Sequence, residues 1–222
     1  FKRVNELLLD LRPQWNGDWK SFATLVQQRQ EHIDDLAFQI VVIGADGIME
    51  FSNLAKPNDR TDLSGREHFF VHRDAPGRDK LFISRPLMGK VSKKWTIQFT
   101  RPVRPEAQFN GVMVISISPD LYGQFGDSMA IGKNAVVTMV RDTGEIMARY
   151  PRNESLLGRA VSDAPYQAAN AARSASFRRT AQTDGVERLF GYYKLPEYGV
   201  TFVVGEALSD VLAPFYKTRD VV

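Results

Sequence analysis

The chain has 222 residues, of which 43% are hydrophobic and 11% aromatic. This supports one large domain or two of about 100 residues and excludes a globally disordered chain. The 29 basic and 26 acidic residues leave a net charge of +3 without a Lys/Arg block, which argues against nucleic-acid binding. Because cysteine is absent, disulfides, thiol nucleophiles and thiolate metal sites are excluded.

The sequence as given was searched for membrane-spanning and signal-peptide patterns. No window reaches the ~20 apolar residues that a transmembrane helix needs, and no signal peptide is evident. The chain begins at Phe1 rather than Met and stops inside an amphipathic stretch. We therefore expect a soluble fragment of a larger protein.

The first half is predicted to form a helical segment followed by an antiparallel sheet. Apolar residues recur at spacings of three and four within residues 2–36, and the Pro-Gln-Trp-Asn-Gly-Asp stretch at 13–18 interrupts them. Asp46–Gly47 predicts a tight hairpin turn. A short helix at 119–125 and a run of small and polar residues at 126–132 end this half. Its predicted strands cover residues 40–44, 48–52, 81–86, 95–101 and 111–118.

The second half repeats this plan in a shorter form, with a helical stretch predicted near 166–173 and an exit helix from 208. Residues 40–49 and 135–147 both read as an apolar strand, a turn with Asp and Gly, and a second apolar stretch. Such internal similarity favours two related domains. The predicted strands of this half cover residues 135–141, 145–150, 176–180, 187–195 and 200–206.

A candidate binding segment lies between the first hairpin and the later strands. Residues 62–72 place Arg66 beside two histidines, His68 and His72, and two phenylalanines. A guanidinium, titratable rings and apolar surface together favour a small-molecule pocket. His68 could make binding pH-dependent near its unperturbed pKa of about 6.5. Surface, core and loop roles for these residues stay open, and a His68–His72 metal pair has no evident third ligand.

Polar residues in the following strands are the second candidate set. Because strand residues alternate between faces, Gln98 and Thr100 are predicted to reach the pocket and Trp95 to lie near its rim. Ser84 and Ser116 are small polar residues in apolar strands, and each could bond a ligand or a neighbouring backbone group. A sheet face open to solvent is the alternative.

No catalytic motif competes with this segment. The chain lacks a Gly-x-Ser-x-Gly elbow, a Walker loop and a Gly-x-Gly-x-x-Gly fingerprint, and nothing singles out a pair of glycosidase carboxylates. In the second half, Tyr166, Arg173, Tyr192 and Tyr193 are the comparable group, and we interpret them as packing, with a second pocket left open. The fragment itself is therefore expected to be non-catalytic.

The order of these elements resembles the double Cache family of extracytoplasmic sensor domains, which are PDC-type and PAS-like. Residues 62–70 resemble the arginine-containing motif after the first hairpin of these sensors, and 81–86, 95–101 and 109–118 resemble their core strands. These stretches are most similar to those of sensor domains attached to GGDEF diguanylate cyclases. The resemblance implies an α+β fold in which a long N-terminal helix precedes two tandem antiparallel-sheet domains. The implied parts are helix 1–36, a membrane-distal ligand domain 37–126, a membrane-proximal domain 127–207 and an exit helix 208–222.

The resemblance also implies a ligand class. In amino-acid-sensing relatives the motif reads Arg-x-Trp-Tyr, the arginine holds the ligand carboxylate, and an Asp on the last strand holds the amino group. Here Arg66 keeps the arginine, His68 and Phe69 replace the aromatic pair, and Ser116 stands near the Asp position. A carboxylate or other small anion is therefore expected rather than an α-amino acid. The expected ligand-binding residues are Arg66, His68, Phe69, Ser84, Trp95, Gln98, Thr100 and Ser116.

The resemblance further implies a periplasmic location within an inner-membrane protein that is anchored by helices outside this sequence. A homodimer is expected for the full-length protein, with a diguanylate cyclase or histidine kinase as its cytoplasmic output. A small molecule is the expected partner, and no cofactor, metal or nucleic acid is expected. The alternative is a ligand-free dimerisation scaffold, which would show no cavity in the first domain.

Overall fold

The computed structural model describes residues 1–30, 39–104, 108–123 and 131–219. Contacts divide the chain into two compact units, Phe1–Ser118 and Pro119–Val222. The division follows the last strand of the first sheet, whereas the domain boundary predicted at 126–127 lies outside the described residues. No helix within the described ranges is both long and apolar enough to cross a membrane.

The predicted N-terminal helical segment is present but is not one continuous helix. Helix α1 (Lys2–Leu11) passes into a 3-10 turn (Arg12–Gln14), and helix α2 (Trp19–Gln30) follows. Pro13 lies in the turn, where its missing N–H costs nothing. The predicted interruption at 13–18 is therefore found, while residues 31–36 of the predicted helix lie outside the described part of the chain.

The first unit contains one antiparallel sheet with the order β2-β1-β6-β5-β3, and β4 pairs with β5 at its side. The strand predicted at 81–86 is shortened to residues 82–83, and a separate short strand that was not predicted follows Pro86, which has no N–H to donate to the ladder. A helix that the sequence analysis did not assign, α3 (Glu67–Arg73), follows the hairpin. The strands are β1 (Gln39–Gly44), β2 (Met49–Ser52), β3 (Phe82–Ile83), β4 (Leu87–Met88), β5 (Trp95–Pro102) and β6 (Gly111–Ile117).

The two faces of this sheet bury different partners. One face packs on the N-terminal helices, where Phe51 meets Phe22 edge-on at 4.8 Å between ring centroids. The opposite face carries Val41 and Val114, which form a buried cluster with Phe69 of α3. A fully buried side chain of this size contributes roughly 1.5–3 kcal/mol. The second face is therefore apolar around α3, and its polar part lies further along the strands.

Asp79 ties the N-terminal segment to the sheet of the first unit. Its carboxylate accepts two hydrogen bonds of 2.7 Å from Arg12 and one of 2.7 Å from Arg101 on β5. The bonds from Arg12, followed by those from Arg101, hold the pKa of Asp79 below its ordinary value. Both guanidinium groups are largely shielded from water, whereas the carboxylate is about one-third exposed.

We expect Asp79→Asn to lower the free energy of unfolding by about 1–2 kcal/mol. The change removes the charge that two shielded guanidinium groups share, and the partial exposure of the carboxylate reduces the cost. Urea denaturation of the two proteins measures it. Asp74→Asn is the control, because Asp74 is exposed and, among the residues that the structure describes, forms an ion pair with its neighbour Arg73 alone. Equal losses in both variants would contradict the expectation.

The second unit contains a five-stranded antiparallel sheet with the order β8-β7-β11-β10-β9. When β4 is left out, each unit has five strands, and in both units their order across the sheet is second, first, fifth, fourth, third. The prediction of a helix near 166–173 is wrong. This segment contains a short 3-10 helix (Pro165–Gln167), and the carbonyl of Arg173 already accepts a hydrogen bond from Lys194 N of β10. The elements are α4 (Asp120–Gly123), β7 (Val136–Arg141), β8 (Ile146–Tyr150), β9 (Ser174–Thr180), β10 (Glu187–Leu195), β11 (Val200–Ala207) and α5 (Leu208–Arg219).

The internal repeat extends to the hydrogen bonds of the two hairpins. Leu63 N donates to Gly47 O at 2.8 Å, and Val161 N donates to Gly144 O at 2.9 Å. Both glycines adopt positive φ, +85° and +101°, which the turn requires. At Gly47 a Cβ would also lie 2.4 Å from the Cβ of Ser64. Each unit thus holds the segment after its hairpin against the turn in the same way.

Candidate functional site

The first unit contains a cavity on the sheet face opposite the N-terminal helices. It lies between β1, β5 and β6 on one side and the segments around residues 63–68 and 87–91 on the other. Its volume is about 30 Å³. At about 10–15 Å³ for each water-sized centre, two or three such centres fit. The lining residues are Gln39, Val41, Ile43, Leu63, Arg66, His68, Leu87, Gly89, Lys90, Val91, Gln98, Val114 and Ser116.

A row of polar side chains crosses the floor of the cavity. Gln39, Ser116 and Gln98 are cross-strand partners on β1, β6 and β5. Ser116 Oγ donates to Gln98 Oε1 at 2.5 Å, and Gln98 Nε2 donates to Thr96 Oγ1 at 2.7 Å. Gln39 Nε2 donates to Ser52 Oγ at 2.8 Å. All of these side chains are buried, so the bonds fix the orientation of the row.

Two cations stand at the mouth of the cavity. Arg66 immediately precedes α3, and its Nη2 donates to Met88 O at 3.3 Å. Lys90 Nζ donates to Asp62 O at 2.6 Å. Among the described residues neither cation forms an ion pair within 4.0 Å, and the lining set contains no Asp or Glu. Backbone carbonyls therefore orient both cations without neutralising them, while the exposed Asp62 carboxylate interacts electrostatically with Lys90 from outside the lining set.

His68 lies in the first turn of α3 with only 4% of its surface exposed. Burial, and then the charges of Arg66 and His72, lower the pKa of His68 to about 3. The imidazole is therefore neutral near pH 7 and can accept or donate a hydrogen bond. Its Nδ1 is buried and has no hydrogen-bond partner in the described ranges. An unpaired buried polar atom is costly, so its presence in this cavity wall points to a ligand contact.

Two of the predicted ligand contacts belong to the wall behind the cavity. Thr100 Oγ1 is 2.9 Å from Nε2 of His72, a buried residue one helical turn beyond His68. Phe69 is buried in the apolar cluster, where its ring meets Phe109 at 5.6 Å. Neither Thr100 nor Phe69 lines the cavity. They support α3 against the sheet instead.

Ser84 and Trp95 also lie away from the cavity. Ser84 Oγ donates to Arg85 O at 2.7 Å and accepts from Gln98 N at 3.0 Å. The hydroxyl therefore bonds backbone groups next to β3 and on β5. Trp95 pairs with Met88 of the short strand β4 and is partly exposed. The predicted contacts that the structure does bring together are Arg66, His68, Gln98 and Ser116.

Gln39 and Lys90 line the cavity but were not predicted from the sequence. Gln39 reaches the floor only because β1 lies directly beside β6, and strand order cannot be read from a run of apolar residues. Lys90 sits in a polar connection that gave no periodic signal. A polar residue at the start of an otherwise apolar strand was the available clue for Gln39.

Comparison with known proteins shows which folds are similar to this one. Residues 119–205, which fall within the second unit, match the family model dCache_1_like, described as a histidine kinase sensor domain. The extracellular domain of rpHK1S-Z16, described as a histidine kinase, is 20% identical, with a TM-score of 0.72 over 87% of this chain and 86% of that one. The chain has a Cache-like fold. The expected α+β architecture with antiparallel sheets and a helical N-terminal segment is confirmed at this level.

Two further solved structures share this Cache-like fold. The ligand-binding domain of the Pseudomonas aeruginosa PAO1 amino acid chemoreceptor PctB, in complex with L-Arg, is 17% identical. Its TM-score is 0.68 over 97% of this chain and 84% of that one. The sensor domain of the V. cholerae histidine kinase DctB is 15% identical, with a TM-score of 0.58 over 85% and 78% of the two chains. No curated protein sequence matches the chain significantly.

Proposed function

We propose that this protein is the extracytoplasmic sensor domain of a membrane-anchored signalling protein and that its first unit binds a small carboxylate. The two units are interpreted as tandem Cache domains. The fold shared with sensor domains of histidine kinases and chemoreceptors supports the sensor role. The observation that carries the ligand assignment is the cavity of the first unit, which is lined by Arg66, by His68 with its unpaired Nδ1, and by a buried polar floor.

The charge of this cavity favours an anion over an α-amino acid. PctB is solved with L-Arg and Mlp24 with asparagine, so these relatives accept ligands that carry an ammonium group. Here the lining residues include two cations and no carboxylate. An ammonium beside Arg66 and Lys90 would be repelled without a counter-charge, whereas a carboxylate meets the guanidinium in a bidentate geometry.

The cavity volume sets the size of the ligand. About 30 Å³ has room for two or three non-hydrogen atoms, so formate fits directly and acetate needs a small rearrangement. A longer carboxylate requires the segment around residues 87–91 to move outward, because Leu87 and Val91 close that side. We propose Arg66, Lys90 and His68 as ligand contacts above the floor of Gln39, Gln98 and Ser116. Phe69, Ser84, Trp95 and Thr100 then act as supports.

Signal transmission is proposed to start at the segment that carries Arg66 and α3. A bound carboxylate draws this segment toward the sheet, and the second unit passes the change through α5 (Leu208–Arg219) to a transmembrane segment. The output is proposed to be a histidine kinase or a diguanylate cyclase in a homodimeric full-length protein. The coupling free energy cannot exceed the ligand's preference for one conformation.

A thermal-shift and calorimetric screen tests this function. Formate, acetate and propionate are compared with glycine, alanine and methylamine at equal ionic strength. We expect the carboxylates to stabilise the protein, with a gain of about 2.7 kcal/mol at 100 times Kd. Tighter binding of the amino acids would overturn the anion assignment. Absence of binding across the panel, together with self-association of the protein, would favour the dimerisation scaffold.

A further inference from the structure

The second unit holds a larger cavity than the first, with a volume of about 110 Å³. It lies between the sheet and residues 156–166 of the β8–β9 connection. At about 10–15 Å³ for each water-sized centre, it has room for roughly 7–11 non-hydrogen atoms. The space therefore suits an organic molecule rather than a single ion.

The walls of this cavity are apolar and aromatic. Val136, Val140 and Val203 line it from the central strands β7 and β11. Phe177 and Phe190 also line it, and their rings stack at 5.2 Å between centroids. Tyr166 closes another side. The body of a matching ligand is therefore hydrocarbon or aromatic.

A nearly buried guanidinium lies at one end of the cavity. The Arg149 side chain is 8% exposed and donates to Thr138 Oγ1 at 3.1 Å. Its ion pair with Asp184 is 3.4 Å long, while Arg188 holds the same carboxylate at 2.7 Å. Burial, the largest effect, lowers the pKa of Arg149. One carboxylate thus serves two shielded guanidinium groups, which leaves an excess of positive charge beside the apolar walls.

Two further arginines reach the cavity. Arg179 donates to the carbonyl oxygens of Ser162 at 3.4 Å and Asp163 at 2.9 Å. Arg159 is exposed, and its side chain has no hydrogen bond or ion pair in the part of the chain that the structure describes. The lining residues include no Asp or Glu. Three guanidinium groups without a lining carboxylate form an anion-selective rim.

This cavity is not a copy of the first-unit site. The matching hairpin bonds align Leu63 with Val161, so the position of Arg66 corresponds to Ala164. The arginines of the second unit come instead from strands β8 and β9 and from the loop at Arg159. The two sites therefore have different charge placement and different volumes, and their ligands are expected to differ.

We propose that the second unit binds an organic monoanion, a carboxylate on an aromatic or short aliphatic body, in the cavity edged by Arg149, Arg159 and Arg179. This proposal is independent of the ligand assigned to the first unit. The apolar walls take up the body, and the arginine rim holds the carboxylate. A neutral molecule of the same shape would contact the apolar walls but would lack the charge that the arginine rim binds.

The distribution of aromatic residues gives a separate probe for each unit. All three tryptophans lie within residues 1–118, and all seven tyrosines lie within residues 119–222. Protein labelled with 5-fluorotryptophan and 3-fluorotyrosine can therefore be titrated with benzoate and observed by ¹⁹F NMR. We expect the Tyr166 resonance, assigned with Tyr166→Phe, to shift at millimolar benzoate while the tryptophan signals stay unchanged. Benzyl alcohol is expected to bind at least tenfold more weakly.

Neighbouring arginines on β9 supply a matched pair of variants. Arg179 lines the cavity, whereas Arg178 is exposed and pairs with Glu187 outside it. We expect Arg179→Gln to weaken benzoate binding about tenfold or more and Arg178→Gln to leave it unchanged. Ala164→Leu, which fills the cavity from a buried lining position, is expected to abolish binding without loss of the folded state.

Three results would overturn the proposal. One is a benzoate titration that moves only the tryptophan resonances. Another is equal affinity in Arg178→Gln and Arg179→Gln, and the third is unchanged binding to folded Ala164→Leu. Arg66→Met separates this proposal from the first-unit function, because that variant is expected to keep benzoate binding in the second unit.

Discussion

Arg66→Met is expected to weaken acetate binding to the first unit by about 100-fold. The guanidinium belongs to the residue that immediately precedes α3 and lines the cavity, and a hydrogen bond to a charged group contributes roughly 1.5–3 kcal/mol. A loss of about 2.7 kcal/mol corresponds to a factor of 100 in Kd. Methionine keeps the length and apolar stem of the side chain, so packing against the segment that carries Met88 is preserved. Isothermal titration calorimetry measures the change.

The control is Arg85→Met. Arg85 is exposed and does not line the cavity, so this substitution removes the same charge without changing the site. We expect wild-type affinity in this variant. Lys90→Met is expected to have an intermediate effect of less than tenfold, because Lys90 is exposed and its charge is better screened. Wild-type affinity in Arg66→Met would remove the main support for a carboxylate at this position.

Lowering the pH from 8 to 5 is expected to reduce the free energy of unfolding by about 4 kcal/mol. Burial lowers the pKa of His68 to about 3 and that of His72 to about 4, whereas both titrate near 6.5 in the unfolded chain. Above pH 6.5 both states are neutral and the histidines contribute no pH dependence. Below it the unfolded state binds protons that the folded state rejects, at about 2 kcal/mol for each histidine by pH 5.

Urea denaturation at several pH values checks this expectation. His68→Gln and His72→Gln are each expected to remove about half of the loss between pH 8 and 5. The lowered pKa of Asp79 adds its own loss only at more acidic pH, since its carboxyl titrates near 4 when unfolded. A free energy of unfolding that stays constant from pH 8 to 5 would show that the two imidazoles are accessible to protons in the folded protein.

The strands and turns of this protein were largely predictable because they depend on local pattern. Apolar and aromatic content located strands such as Glu187–Leu195, and Asp46–Gly47 located the first hairpin turn. The short helix α3 was not assigned, because seven residues with adjacent phenylalanines give too little periodicity. The strand predicted at 81–86 spans only Phe82–Ile83, and the short strand Leu87–Met88 after Pro86 was not predicted.

The candidate site was predictable only in part. The sequence by itself determined that Arg66 and His68 lie close together, since they are two residues apart, and that Gln98 faces away from its strand neighbours Ile97 and Phe99. It also determined the repeated hairpins, because both turns depend on a glycine with positive φ.

Only the tertiary structure decided which of these side chains share a cavity. The order β2-β1-β6-β5-β3 places Gln39 beside Ser116 and Gln98, although these residues are far apart in the chain. Burial of α3 turned Phe69 into the core and His68 toward the cavity. In the second unit, Arg149 and Arg179 meet at one cavity because non-adjacent strands pack on the same connection. Local pattern fixes which face a residue occupies, whereas long-range strand pairing and side-chain packing determine its neighbours.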